Sequence, residues 1–181
     1  MCPEEVQLPS EFYLDKGAWP LVFMQGDVLE DVPRIVLASP QNLPLGGTIE
    51  EPVVGDANYC RTRAIIITPT CNIRPGSPVQ VASVRCAPEW GKNNSKYSDL
   101  LKGRDHKQFL LHDHPKYGQQ IAQLTDVWTV ECDHIKGLSR ILCLADLGRH
   151  LLADALQRAF ARPIRDLKYD ISDYEDCVPA K

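Results

Sequence analysis

The hexapeptide Arg63-Ala64-Ile65-Ile66-Ile67-Thr68 constrains this chain more than any other segment. Three consecutive isoleucines bounded by turn formers suit a short β-strand buried on both faces. Val79–Cys86 supplies a second strand after the Pro75-Gly76 turn, and Lys107–His112, Asp126–Ile135 and Ser139–Leu144 read as further strands. Upstream, Leu21–Phe23, Asp27–Leu29 and Arg34–Ala38 are short β-like runs separated by Gly26 and Pro33, which interrupt regular pairing. One helix stands out. Leu147, Leu151, Leu152, Ala155, Leu156, Ala159 and Phe160 recur at helical spacing, with Asp146 placed to cap it and Pro163 to end it. A shorter helical turn is expected at Tyr97–Lys102 within the polar stretch Pro88–Arg104. Many short strands followed by one amphipathic helix predict a mainly β (α+β) fold, a small barrel with long loops and a C-terminal helix packed on its flank. Its core should hold Ile65, Ile66, Ile67, Val81 and Val130.

A length of 181 residues suits one domain. Within it, residues 1–20 read as an irregular arm with Phe12, Tyr13 and Trp19 laid on the barrel, 21–165 as the body, and 166–181 as an acidic tail. Residues 39–58, rich in Pro and Gly, form a long connection suited to a partner or a substrate lid. An apolar fraction of 44% with 24% charged residues excludes a disordered chain. No apolar run approaches the ~18 residues of a membrane span, and the acidic N-terminus lacks a signal-peptide core. A cytoplasmic protein without membrane contact is expected.

The formal charge is −4, with 6 basic and 11 acidic residues through Trp90 and 14 basic and 13 acidic after it. Lys92, Lys96, Lys102, Arg104 and Lys107 form a local basic strip, but the balance lacks the footprint of a dedicated nucleic-acid binder. The seven cysteines, Cys2, Cys60, Cys71, Cys86, Cys132, Cys143 and Cys177, show no C-x-x-C pair and read as thiols, with Cys143 a small buried hydrophobe.

Three fragments together resemble the PemK/MazF toxin superfamily. Gln25-Gly26-Asp27-Val28 is similar to that family's opening G-D strand, Arg63–Thr68 to its R-P-x-(apolar)3-S strand, and Val79–Val84 to the strand that follows. The resemblance covers about residues 25–161 and implies an SH3-like barrel with a C-terminal helix. It also implies a ribonuclease ancestry, with Arg63 at the family's catalytic arginine position. Ala64 stands where the family has Pro, and Arg85-Cys86 stands where it has Thr-Ser. RNA cleavage needs a cation for the phosphorane, which Arg63 or Arg85 could supply beside a proton-transferring His.

Other constellations are weaker. His112-Asp113-His114 and Cys132-Asp133-His134 place ligand pairs at i, i+2, on one face of a strand, so His112, His114, Cys132 and His134 could converge on Zn2+ if the strands were adjacent. Loop-end histidines beside a buried Cys132 are the plainer reading, and no metal or other cofactor is expected. Thr68-Pro69-Thr70-Cys71-Asn72 leaves the buried strand in a turn. Cys71 could serve there as a nucleophile, although Thr70 and Asn72 more simply bond local backbone or a ligand. The polar helix face, with Arg149, His150, Asp154, Gln157, Arg158 and Arg162, is a solvated surface or a docking one. Nucleotide-binding and hydrolase motifs are absent. Two functions are therefore expected. The first is an accessory binding module of a bacterial toxin–antitoxin or defence system, contacting a protein partner or nucleic acid through a barrel-rim site of Arg63, Arg85, Thr70 and Asn72. The second is an active PemK/MazF-like endoribonuclease with Arg63 and Arg85 catalytic. A protein partner is expected, with RNA contact and a homodimer left open.

Overall fold

The isoleucine run forms the middle of the sheet. In the computed structural model, which describes residues 12–37, 57–89 and 94–160, the strands are β1 (Asp27–Leu37), β2 (Ala57–Ile66), β3 (Pro78–Cys86), β4 (Gln108–His114), β5 (Gly118–Glu131) and β6 (Arg140–Cys143). The helices are α1 (Ser95–Leu101), α2 (Cys132–Ile135) and α3 (Asp146–Phe160). The strands make one antiparallel sheet in the order β4-β5-β3-β2-β1-β6. The sheet is not closed, so the fold is mainly β without a completed barrel.

Alternation along β2 divides its apolar side chains between two cores. Ile65, with Ile67 just beyond the strand, joins Val28, Val84, Leu124 and Leu152 on one face, while Ala64 and Ile66 join Val32, Val79, Val81 and Ile135 on the other. Ile65, Ile66, Ile67, Val81 and Val130 are all buried, as the sequence predicts. Each fully buried isoleucine contributes about 1.5–3 kcal/mol relative to exposure. That makes β2 the wall common to both cores.

Chain entry differs from the sequence expectation. Leu21–Phe23 is not a strand, because the carbonyls of Pro20 and Val22 accept hydrogen bonds from the Arg140 guanidinium (3.0 and 2.9 Å) instead of joining a ladder. The expected runs at Asp27–Leu29 and Arg34–Ala38 are parts of one strand that passes through Pro33; Ala38 lies outside the described residues. A bulge between Leu29 and Val32 bends that strand, with Asp31 at φ 59°, a left-handed conformation that Asp tolerates better than most residues. The expected strand Asp126–Ile135 ends at Glu131, where Cys132–Ile135 turns into α2, and begins earlier, at Gly118.

The two edge strands, β4 and β6, face a gap that the N-terminal segment fills. Leu14 N donates to Cys143 O (2.8 Å) and Ala145 N to Phe12 O (2.9 Å), which attaches residues 12–14 to the β6 side. On the β4 side, the Tyr13 hydroxyl donates to His112 O (2.7 Å), and the Phe12 ring stacks near Phe109 and meets His112 edge-on. Phe12 is thus core rather than a surface covering. The acidic tail and Pro163 lie outside the described residues, as do positions 39–56 of the long connection.

Helix α1 is capped by the Asn94 side chain, which accepts from Lys96 N and Tyr97 N. In α3, Asp146 is already helical and pairs with Arg149 one turn on, so it is a first-turn acid rather than a cap. The helix buries Gly148, Leu152 and Ala155 and leaves Leu147, Leu151 and Phe160 exposed. A Cβ at Gly148 would lie 2.8 Å from Phe12 O and 3.2 Å from Leu144 Cβ. In an exposed helix interior, Gly→Ala gains roughly 1 kcal/mol. Here backbone blocks the new methyl, so Gly148→Ala is expected to lower the melting temperature, whereas Ala at an open helical site would raise it. A Gly148→Ala variant with an unchanged or higher thermal midpoint would show that α3 shifts freely over the Phe12 segment.

Candidate binding groove

The first group of predicted site residues does not converge. Side chains alternate along a strand, so Arg63 shares the Ile65 face and Arg85 the face opposite Val84, across from Ile121 on β5. The two guanidinium groups therefore lie on opposite faces of the sheet and cannot grip one anion. Arg63 is held locally: its Nη2 is 3.0 Å from Glu30 Oε1, its guanidinium lies 5.5 Å from the Tyr117 ring centre, and its buried Nε has no partner. Arg85 is exposed.

Thr70 and Asn72 sit in a 3-10 turn, Thr70–Asn72. Thr70 Oγ1 accepts from Gln25 N (3.1 Å), and Gln25 Nε2 donates to Ile67 O (2.7 Å), so Thr70 ties the turn before β1 to the end of β2. Asn72 lines an open cleft of about 560 Å³ with Thr68, Arg74, Gln80 and Thr129. The neighbouring Cys71 thiol reaches Asn72 Oδ1 at 3.7 Å, and no histidine bonds to it among the described residues. A nucleophilic thiol there has no base bonded to it among the described residues.

The proposed metal quartet is also pulled apart. His112 and His114 lie on β4 at the Gly118 end of β5, whereas Cys132 and His134 follow its Glu131 end. Fourteen residues of strand at ~3.3 Å each would separate the pairs by about 46 Å if straight. Cys132 and His134 are moreover on a helical turn, so the i, i+2 face assumed for them does not exist. No group of three or more metal-binding side chains occurs among the described residues.

What the fold does assemble is a groove between β1 and β5, about 590 Å³ in volume and walled by Pro33, Ile35, Tyr59, Trp128 and Leu138. Ile35 is 72% exposed and Tyr59 63%, large values for apolar side chains. The bent outer half of β1 leans over β5. Arg34 binds Asp126 through both carboxylate oxygens (2.9 and 2.6 Å), its guanidinium lies 5.1 Å from the Trp128 ring centre, and Trp128 Nε1 donates to Pro33 O (2.9 Å). A bidentate pair stacked on an aromatic ring is a rigid clamp.

Both rims of the groove are strand edges. Among the described residues, β6 pairs with β1 only at Asp27–Leu29, and the β4 ladder on β5 reaches only Gln123. Because the Pro33 carbonyl points to Trp128, away from β2, the backbone of Ile35 points the same way. Pro33 places its missing N–H on that free edge, which explains its tolerance inside a strand. On β5, Cys132 N donates to Ser77 O on the β3 side (3.0 Å), so Trp128 and Val130 face β3 and Thr129 and Glu131 face the free edge. Asp31, Arg61, Glu131 and His134 put charge around the same groove. The sequence signals for it are Pro33 between two β-like runs and Trp128 in the strand β5; the contact between distant strands is not encoded in any short motif.

No family model matches this chain, and no curated protein matches it.

Buried titratable groups are structural. Asp27 is fully buried, and burial raises its pKa despite Arg140 Nε at 3.2 Å and the Met24 N–H at 2.8 Å; its Oδ1 has no partner. Burial and the neighbouring Asp27 push the Cys143 thiol up to about 12, which keeps it protonated at neutral pH. Burial holds the His112 pKa below its usual value, and its buried Nδ1 lacks a partner. The unfolded chain thus takes up a proton at about pH 6.5 that the folded chain refuses. Stability supplied by His112 should be complete above that pH and decline as pH falls toward the lower folded value. Urea unfolding at pH 7.5 and 5.5 should show this loss, and His112→Phe should reduce it; an identical pH dependence in the variant would exclude His112 as its source.

Proposed function

We propose that this chain is a binding module whose partner is a protein, engaged through the groove between β1 and β5. The observation that carries this reading is the pairing of exposed Ile35 and Tyr59 with Trp128 between two strand edges that have no ladder partner among the described residues. Apolar and aromatic surface at the centre of a charged rim is the usual composition of a protein interface. The likeness of three strand fragments to PemK/MazF proteins supports a role as an accessory component of a bacterial toxin–antitoxin or defence system. RNA cleavage is less well supported. Arg63 is engaged by Glu30 and Tyr117, Arg85 lies on the other face, and the groove carries the carboxylates of Asp31 and Glu131, which repel phosphate.

Affinity capture from the native cell tests the proposal. A partner retained by the wild type in high salt should be lost, by at least tenfold in yield, in Ile35→Asp and Tyr59→Asp, two exposed positions where the folded state tolerates a charge. Salt resistance is expected because an apolar centre, unlike phosphate contact, does not depend on counterion release. Equal capture by both variants, or RNA cleavage abolished by Arg63→Ala, would overturn it.

A further inference from the structure

We infer that the occupant of the groove is an extended peptide segment that adds as a strand along Thr129–Glu131 of β5 and carries a Lys or Arg beside its apolar side chains. This rests on the binding-module reading and specifies its ligand. Thr129 presents its backbone N–H and C=O, and Glu131 its N–H, to an edge of β5 without a ladder partner among the described residues, while the Glu131 carbonyl starts helix α2; such edge groups are satisfied most completely by another extended backbone. The β1 edge is the poorer template, because Pro33 has no donor and its carbonyl already accepts from Trp128 Nε1. β1 instead supplies a wall. Ile35 and Tyr59 offer apolar contact to alternate side chains of the added strand, and the Arg34 clamp on Asp126 and Trp128 fixes how far the wall stands from the edge.

Charge selects the sequence. Asp31 and Glu131 line the groove, and neither carboxylate has an ion-pair partner among the described residues, whereas Glu30, Asp126 and Asp133 are each paired. Arg61 is the only Lys or Arg of the lining, so against the two carboxylates the formal charge of the lining stays acidic by one. A basic residue on the incoming strand fits the two open carboxylates. The chain's own residues 38–56 fit them poorly, since they contain Glu50, Glu51 and Asp56 and no Lys or Arg.

The probe is a pool of capped nonapeptides that alternates valine with threonine or lysine, compared with a matched pool carrying glutamate for lysine. The full chain, labelled with 15N, is titrated with each, and amide hydrogen exchange is read residue by residue. The basic pool should bind at least tenfold more tightly than the acidic one and slow exchange of the Thr129 and Glu131 amides at least tenfold. Methylating alternate peptide nitrogens on the paired edge should abolish both effects, and Glu131→Lys should transfer the preference to the acidic pool. Protection of the Thr129 and Glu131 amides before any peptide is added would overturn the inference, since the edge would then be covered by the chain itself or a second copy. Equal binding of the two pools, or indifference to N-methylation, would also overturn it. If those failures occur while Ile35→Asp still loses the captured partner, strand addition fails and the binding-module reading survives.

Discussion

A strand edge carries backbone donors and acceptors that must find partners, and an antiparallel sheet that bends without closing has to solve this problem wherever its edges approach each other. This chain solves it twice, by different means. Between β4 and β6 the solution is main chain and core together: residues 12–14 bond to β6, while Phe12 and Tyr13 pack against β4. Between β1 and β5 the solution is a side-chain clamp, Arg34 with Asp126 and Trp128, which fixes the spacing and leaves the edges themselves without a ladder partner among the described residues. The closed gap is apolar and internal; the open one is amphipathic and accessible. The proposed binding site lies at the second, where the described residues leave backbone groups of β5 without a ladder partner beside an apolar wall.

The bend in β1 makes that arrangement. Up to Leu29 the strand lies between β2 and β6, and after the bulge at Asp31 it pairs, among the described residues, with β2 alone and swings toward β5. Pro33 then protects the new edge against pairing indiscriminately, since a strand offering fewer donors is a weaker template for aggregation. Glu30, beside the bulge, holds Arg63. A residue that the family resemblance makes a catalytic cation is thus tied to the strand beside the bend.

How much of this was legible in the sequence depends on the range of the interactions. The isoleucine run, the Val79–Cys86 strand and α3 were readable because each is a local pattern enforced by burial on a face. Pro33 misled as a breaker, because whether a proline ends a strand depends on which edge its missing N–H faces, a tertiary fact. Cys132-Asp133-His134 misled in the opposite way: alternation was assumed where the backbone had already turned helical. Phe12 was read as surface because nothing in its neighbourhood reveals that two strands more than ninety residues away leave a slot of its size. The groove itself joins Pro33 to Trp128 across 95 positions, beyond the reach of any spacing argument.

The sharing of β2 by two cores has a consequence for how the molecule comes apart. Ile65 and Ile66 are neighbours in sequence, yet each belongs to a different apolar cluster. Neither cluster can open without withdrawing the strand that the other is built on, so the halves cannot melt in sequence as separate units. The two clusters that share β2 are therefore expected to unfold together. The groove is thereby held at a fixed shape by stability stored on the far side of the sheet, and strain introduced at α3 is felt as a loss of the whole fold rather than as local loosening.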